Sequence, residues 1–459
     1  PDPTHPDPKR KGIQRIVLPK GAHPGYLAIH PTQALGVATD RTSDAIFLFK
    51  TADAEGDREL SASVTTARVA GELAARLSGG LTGVDFSPDG RFLYIASPGR
   101  ASWAGADNVM ESGYVFVYEL AIGETKAETK AIIPTDPKPF GVTRSPTADA
   151  PFVAVAVRGN EPTGYSLFDP TREHARRLTV ATNLRGYEPA VPTFVRPERM
   201  IREMSRDYPG QRFDDRFFDI NAAESIVFTR DAKYAFVLFN NTFLQWDLRR
   251  DPFRGRGGNI GILQDPLGLD PTLPTRFIAA TEEVPFSWPD EITIDPYNRY
   301  LFASFKGVNS VMVYDLTRIW AGLALLEVFN PEALRRPVKP LERYIQEVME
   351  SANVDAFLAA VNADLLRTVP GGPPSILRGP IWEMVKAITG YETPKDVRLI
   401  DEEKAAEIFD TLKAQLGDLK LRREFLLKTA STPSVPATPP PPAAETASTD
   451  TAVSQLPGM

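Results

Sequence analysis

Apolar and polar positions alternate with a period of two, in short runs, from Gly12 to Leu316, and beyond Leu316 the period lengthens to 3.6. The clearest stretch runs from Gly83 to Leu120. An apolar run, Gly83 to Phe86, ends in the turn Ser87-Pro88-Asp89-Gly90; Phe92 to Ala96 follows, and Gly113 to Leu120 ends in an acidic residue plus Leu. Short β-branched and aromatic runs bounded by Pro, Asp and Gly predict strands joined by tight turns. With Lys126 to Ile133 as a fourth run, they predict one four-stranded antiparallel unit.

Four relatives of this unit are legible. The first places strands at Tyr26–Pro31, Ala34–Thr39, Ala45–Phe49 and Val64–Val69, and the third at Gly141–Pro146, Phe152–Val157, Tyr165–Asp169 and Arg177–Thr182. The fourth takes Ser225–Asp231, Tyr234–Phe239, Phe243–Leu248 and Arg276–Ala280, and the fifth Glu291–Pro296, Tyr300–Phe305 and Ser310–Leu316. Anchored on Pro31, Pro88, Pro146, Arg230 and Pro296, the units recur at 57, 58, 84 and 66 residues. A compact four-stranded propeller blade needs roughly 40–45, so the excess is insertions. Units that cannot cover both faces alone must stack on neighbours, and for antiparallel four-stranded units that means a β-propeller. A β-sandwich fits less well, because the third-strand endings Tyr118-Glu-Leu, Phe168-Asp-Pro, Trp246-Asp-Leu and Tyr314-Asp-Leu recur in register.

The stretches Phe86 to Ala96 and Ile294 to Ala303, each with its later Val-x-Val-Tyr-(Asp/Glu)-Leu, resemble the YVTN-type β-propeller repeat family, which is similar to WD-repeat and lactonase-type propellers. The resemblance covers Gly12 to Leu316 and implies a fold far more than a function. The chain departs from that family in its long insertions and in showing five units where seven are usual. The fifth unit lacks a fourth strand, while Gly12 to Leu18 is a strand without a unit. The expected architecture is therefore mainly β, a propeller of five four-stranded blades in which this N-terminal strand closes the last blade and hides its edge. The alternative is an open arc of a larger propeller.

Residues 1–11 form an expected flexible arm, 12–316 the propeller, 317–428 a helical appendage, and 429–459, with seven Pro, a disordered tail. Within the appendage, Thr317 to Phe329 reads as a helix stopped by Asn330-Pro331. Leu341, Ile345 and Val348 mark a second, and Asp401 to Lys428, acidic at its start and basic at its end, a last one.

Composition narrows the chemistry. There is no Cys, which excludes disulfides, thiolate metal sites and thiol nucleophiles. A formal net charge of −7 argues against a nucleic-acid binder, and no apolar run reaches the 18 or more residues of a membrane span. The four His, at 5, 23, 30 and 174, pair with no evident nucleophile, and Gly255-Arg-Gly-Gly258 reads as a turn. A start at Pro1 and a linker-like end fit a module of a larger extracytoplasmic protein, so a periplasmic or cell-surface location is expected.

Two insertions emerge on one face of the expected ring. Residues 98–112 carry Arg100 and Trp103. Residues 183–223 interleave Arg199, Arg202 and five further Arg with Tyr187, Phe194, Tyr208, Phe213 and Phe217. Arg and aromatics dominate protein interfaces, and about as many acids as Arg leave no surplus to track phosphates. At the channel mouth the register brings together Glu224, Asp290 and Glu291. That set is lean for a hard divalent cation, and lactonase-type propellers show a fuller acidic and amide set. The expectation is a non-enzymatic scaffold binding another protein or neighbouring domains through 98–112 and 183–223, with no cofactor. The alternative is a metal-dependent, lactonase-like hydrolase with its divalent cation on those three carboxylates.

Overall fold

The computed structural model describes residues 16–51, 64–69, 80–98, 113–120, 127–135, 139–144, 152–157, 164–168, 177–178, 223–240, 257–266, 276–335 (except 286), 339–357, 402–417 and 421–426, and isolated residues between them. Their strands form five antiparallel sheets. Blade 1 holds β1 (Pro24–Ile29), β2 (Leu35–Asp40), β3 (Ala45–Lys50) and β4 (Thr65–Arg68). Blade 2 holds β5 (Val84–Phe86), β6 (Phe92–Ser97), β7 (Gly113–Leu120) and β8 (Ala127–Thr135). Blade 3 holds β9 (Pro139–Arg144), β10 (Val153–Val157), β11 (Gly164–Phe168) and β12 (Arg177–Leu178). In blade 4 they are β13 (Ala223–Phe228), β14 (Tyr234–Asn240), β15 (Gly257–Gln264) and β16 (Arg276–Ala280), with the short β17 (Val284–Pro285) also on β15. Blade 5 holds β18 (Pro289–Ile294), β19 (Tyr300–Phe305), β20 (Ser310–Asp315) and β21 (Arg422–Leu426). This is the propeller arrangement expected from the repeat.

Two strands differ from expectation. The last blade is closed by β21, which pairs antiparallel with β20 from Ser310↔Leu426 to Tyr314↔Arg422, not by Gly12 to Leu18. Ile16 to Leu18 lie outside any sheet, and Ile16 and Leu18 instead cover Ala38, Phe47 and Phe49 of blade 1. An outer strand needs only an apolar face and free ladder groups, and Arg422 to Leu426 reaches the edge of β20 after a long helical excursion. Asp315 and Leu421 mark where the excursion leaves and returns, joined by a backbone hydrogen bond of 3.0 Å. The last helix accordingly stops at Leu416, and the helical region is an insertion within blade 5. Blade 4 supplies the second difference. Its third strand is Gly257–Gln264, fully buried, while Phe243 to Leu248 lies outside the described residues. Gly257 and Gly258 therefore belong to a ladder. A side chain at Gly261 would meet the rings of Phe239 and Phe277, both at 2.6 Å, so glycine here makes room for aromatic side chains from the flanking strands.

Neighbouring blades are joined face to face. Val37, Ile46 and Leu48 of blade 1 meet Val84, Phe86, Leu93 and Ile95 of blade 2, and Tyr94, Ala96, Val115 and Val117 of blade 2 meet Val142, Val153 and Val155 of blade 3. Blades 4 and 5 share a larger cluster that continues into the helices. Polar bonds fix the register between neighbouring blades: Thr39 Oγ1 donates to the Thr82 carbonyl at 2.9 Å, Thr82 Oγ1 to that of Pro139 at 2.9 Å, and Thr143 Oγ1 to that of Ile226 at 2.6 Å. His30 serves the same end. Its Nδ1 accepts from the Thr32 and Gln33 amides, which leaves the proton on Nε2 for the Gly90 carbonyl of blade 2 at 3.2 Å. Gly90, at φ 73°, is required twice over, since a Cβ there would lie 2.0 Å from that imidazole.

Among the described residues the helical insertion contains α1 (Leu316–Phe329), α2 (Pro331–Arg335), α3 (Leu341–Ser351) and α4 (Glu402–Leu416). Asp315 caps α1 by accepting from the Thr317 amide at 3.0 Å. Burial of Ile319, Trp320, Leu323 and Leu326 makes α1 the centre of the insertion, with Trp320 4.7 Å from the Tyr234 ring of blade 4. α3 and α4 complete it through Ile345, Val348, Phe409 and Leu412. No helix among the described residues is long and apolar enough to cross a membrane.

Because β21 covers the outer edge of β20, a chain ending at residue 420 is expected to melt several degrees below the full chain and to become prone to association through the freed edge. Thermal unfolding followed by circular dichroism, with size-exclusion chromatography, checks this; an unchanged midpoint would remove the closing role of β21.

Candidate functional site at the channel mouth

The inner strands β1, β5, β9, β13 and β18 start at the same end of the ring, and their first residues define one mouth of the channel. Short polar or small residues stand there because a side chain would collide with the adjoining strand. A Cβ on Gly83 would lie 2.2 Å from the Phe140 carbonyl, and one on Gly141 2.7 Å from that of Glu224. Close backbone approach leaves a few larger side chains to furnish the mouth: Tyr26, Glu224, Asp290 and Glu291.

Glu224 is fully buried, and Asn240, at the end of β14, donates to its Oε1 from Nδ2 at 2.7 Å. Asp290 is shared by two cations, Arg41 Nη2 at 3.2 Å and Lys306 Nζ at 3.2 Å. Arg41 comes from the turn after β2, so this ion pair ties blade 5 to blade 1. Glu291 keeps access to the channel yet is hemmed in by protein. Loss of bulk solvent, then the charges of Asp290 and Asp85, push its carboxyl up to about 7. Tyr26 is buried, with its ring edge-on to Phe140 at 6.5 Å and the Arg41 guanidinium 5.7 Å from its centroid. Burial, then the negative charges of Glu224, Asp290 and Glu291, raise its phenol well above the ordinary value, against the pull of Arg41. One blade along, burial pushes the Asp85 carboxyl up, opposed by the Arg144 amide that donates to it at 3.0 Å.

The three carboxylates selected from the sequence thus all act on one point, the Tyr26 hydroxyl. They are engaged differently. Glu224 is held by an amide and Asp290 by two cations, while Glu291 is anchored at its backbone, where its amide donates to Ser304 Oγ at 3.1 Å. Among the described residues no group of three or more His, Asp or Glu is arranged to hold a metal ion. Sequence reasoning missed Arg41, Asn240, Lys306 and Tyr26. Strand register could have found Tyr26, which occupies the position of Glu291 in its own repeat; Arg41 and Lys306 lie in turns with no periodic signal. Arg100, Trp103, Tyr187, Phe194, Arg199, Arg202, Tyr208, Phe213 and Phe217 all lie outside the described residues. Ser97 and Gly113, which flank the first insertion beside Gly80 and Pro139, and Ala223, with which the second ends, are described and stand at the mouth.

No protein-family model matches the chain, and no curated protein matches its sequence. Solved structures of similar fold include the β-propeller domain of Cps50 (Swd1) from Myceliophteria thermophila, at 11% identity and a TM-score of 0.37 over 64% of this chain and 66% of that one. The periplasmic gluconolactonase PpgL of Pseudomonas aeruginosa matches at 16% identity and a TM-score of 0.39, again over 64% and 66%. Hydrazine synthase of Kuenenia stuttgartiensis matches at 15% identity and a TM-score of 0.39 over 70% of this chain and 84% of that one. The chain thus spans just under two thirds of the first two structures.

A carboxyl whose folded pKa lies above its unfolded value costs nothing while both states are protonated. The cost grows as pH rises from the ordinary 4.5 to about 7 and is constant above. Glu291→Gln should therefore stabilise the protein at pH 8, with the gain shrinking to nothing toward pH 4.5. Urea midpoints across that range check the sign, and parallel profiles for the two proteins would refute it.

Proposed function

We propose that this chain is a non-enzymatic propeller scaffold of the YVTN type that binds another protein through the insertions 98–112 and 183–223, in a periplasmic or cell-surface setting. The observation that supports it is that two of the mouth's three carboxylates are engaged by the protein's own groups: Asp290 by Arg41 and Lys306, and Glu224 by Asn240. Hydrolysis needs a carboxylate free to hold a metal or activate water, and His30 is occupied in joining two blades. The described residues that adjoin them, Ser97, Gly113 and Ala223, stand at this same mouth, and the insertions' Arg and aromatic content is that of protein interfaces. Replacing 184–222 by a short Gly/Ser linker is expected to abolish capture of at least one specific partner from native extract while the melting temperature stays within about 2 °C. Retention of every partner by the folded deletion would sink the assignment.

Glu291 favours a second reading. A carboxyl with a pKa of about 7, beside Tyr26 and open to the channel, has the character of a general base, and with a bound divalent cation it would serve a lactonase-like hydrolase. On the scaffold reading, millimolar calcium or zinc shifts the melting temperature by less than about 1 °C. A larger shift, lost in Glu224→Gln and Asp290→Asn, would favour the hydrolase.

A further inference from the structure

We infer that the channel mouth is a socket for a primary ammonium group on an alkyl stem, the end of a lysine side chain presented by the partner protein. The inference rests on the protein-binding reading and names the contact that the mouth itself makes.

Repeat position shows what is unusual here. Tyr26, Gly83, Gly141, Ser225 and Glu291 stand the same distance before the turn residues Pro31, Pro88, Pro146, Arg230 and Pro296, so blades 2 to 4 place glycine or serine where blades 1 and 5 place Tyr26 and Glu291. Both large side chains end without a partner. Tyr26, only 3% exposed, reaches from blade 1 to lay its ring edge-on to Phe140 of blade 3 at 6.5 Å, and its buried hydroxyl makes no hydrogen bond. A buried hydroxyl left unsatisfied is costly, and this one calls for a group from outside the chain. The charges of Glu224, Asp290 and Glu291 all act on it, which sets the hydroxyl among the carboxylates of blades 4 and 5. Glu291 makes its polar bonds through its backbone, with Ser304, and among the described residues no donor or cation reaches its carboxylate.

Charge and geometry define the missing group. Glu224, Asp290 and Glu291 stand against the cations Arg41 and Lys306, both on Asp290 at 3.2 Å, while Asp85, whose charge also reaches Glu291, is answered by Arg144. Three carboxylates against two cations leave one negative charge, which a monocation balances and a divalent ion exceeds. A hard divalent ion also needs about six or more oxygens close together, and the described residues hold no such cluster. An ammonium nitrogen directs three donors apart, so it can meet the Glu291 carboxylate and the Tyr26 oxygen, on different blades, at once. A planar guanidinium fork is suited to one carboxylate at a time. Trp288, 40% exposed, stands immediately before β18 at the entrance, with Lys306 Nζ 5.6 Å from its ring centroid. Its ring offers an apolar wall to the stem of the ligand, and a lysine stem lies along such a surface while its head stays polar.

The test uses the full chain at pH 8, where Glu291 is ionised, and n-butylammonium chloride, observed by saturation-transfer NMR at constant ionic strength. The expected result is saturable binding, competed by the peptide acetyl-Gly-Lys-Gly-amide and not by its norleucine analogue. Tyr26→Phe, which removes only the hydroxyl, and Glu291→Gln are each expected to weaken it fivefold or more. Glu119→Gln, which removes a carboxylate of blade 2 already paired with Arg91 and Lys130, is expected to change nothing. Melting curves identify any variant that fails to fold. A diazirine-bearing butylamine, cross-linked to the unaltered protein and mapped by mass spectrometry to β1 or β18, locates the socket without any variant. No binding, cross-links elsewhere, or equally tight binding of 1-butanol or tetramethylammonium overturns the inference. So does displacement by millimolar calcium, which would return the mouth to the hydrolase reading, or failure of the lysine peptide to compete, which would assign the socket to a free amine. Butylammonium binding is expected to persist in the protein lacking 184–222, whatever becomes of partner capture, so the socket and the insertion site can fail separately.

Discussion

A β-sheet with apolar side chains on both faces is unstable unless both faces are covered, and this requirement orders the whole structure. In blades 2 and 4 the inner three strands are buried nearly throughout because each sheet has a neighbour on both faces. Burying a Val, Leu or Phe side chain contributes about 1.5–3 kcal/mol, and each face-to-face seam removes several from water at once. The stack dictates small or polar residues where inner strands converge, as Gly83 and Gly141 do, and it makes hydrogen bonds such as Thr39 to Thr82 regular features rather than isolated contacts.

The same requirement explains the helical insertion. Blade 5 meets blade 4 on one face, and the shared cluster extends from Phe236 and Tyr314 into α1, whose near-total burial would make no sense for an exposed appendage. Trp320 fixes that junction by lying against Tyr234 and Phe236. A polar belt runs beside it: Arg422 donates to the Glu282 carbonyl at 2.9 Å, and the Glu282 amide donates to Glu342 at 2.8 Å. Burial holds the Glu342 carboxyl up at about 7. Helices and sheet therefore share one core, and the chain returns through Leu421 to complete the blade it left.

The channel mouth is what the stack leaves over. Once the inner strands approach closely, side chains larger than Thr must point into the lumen or be neutralised where they stand. Asp290 takes two cations, Glu224 an amide, and Tyr26 a ring contact with Phe140. Glu291 retains access to water at the expense of its ordinary acidity. At the seam between blades 5 and 1 the covering rule is relaxed, with Leu27 and Ile29 exposed on one side and Tyr300 on the other.

Local sequence determined most of the strands. Period-two alternation and Pro or Asp turns mark β1 to β3, β5 to β7, β13, β14 and β18 to β20 within three residues, because those signals arise from backbone conformation and adjacent side chains. It also brought Glu224, Asp290 and Glu291 to one mouth through register alone. Tertiary structure decided the rest. Gly257 to Gln264 is a strand only because Phe239 and Phe277 fill the space its glycines leave, and Arg422 to Leu426 is a strand only because the edge of β20 stands free after the helical excursion. Arg41 meets Asp290 across 249 residues of chain. No local pattern encodes a partner so distant, since the energy that selects it exists only once the blades have stacked.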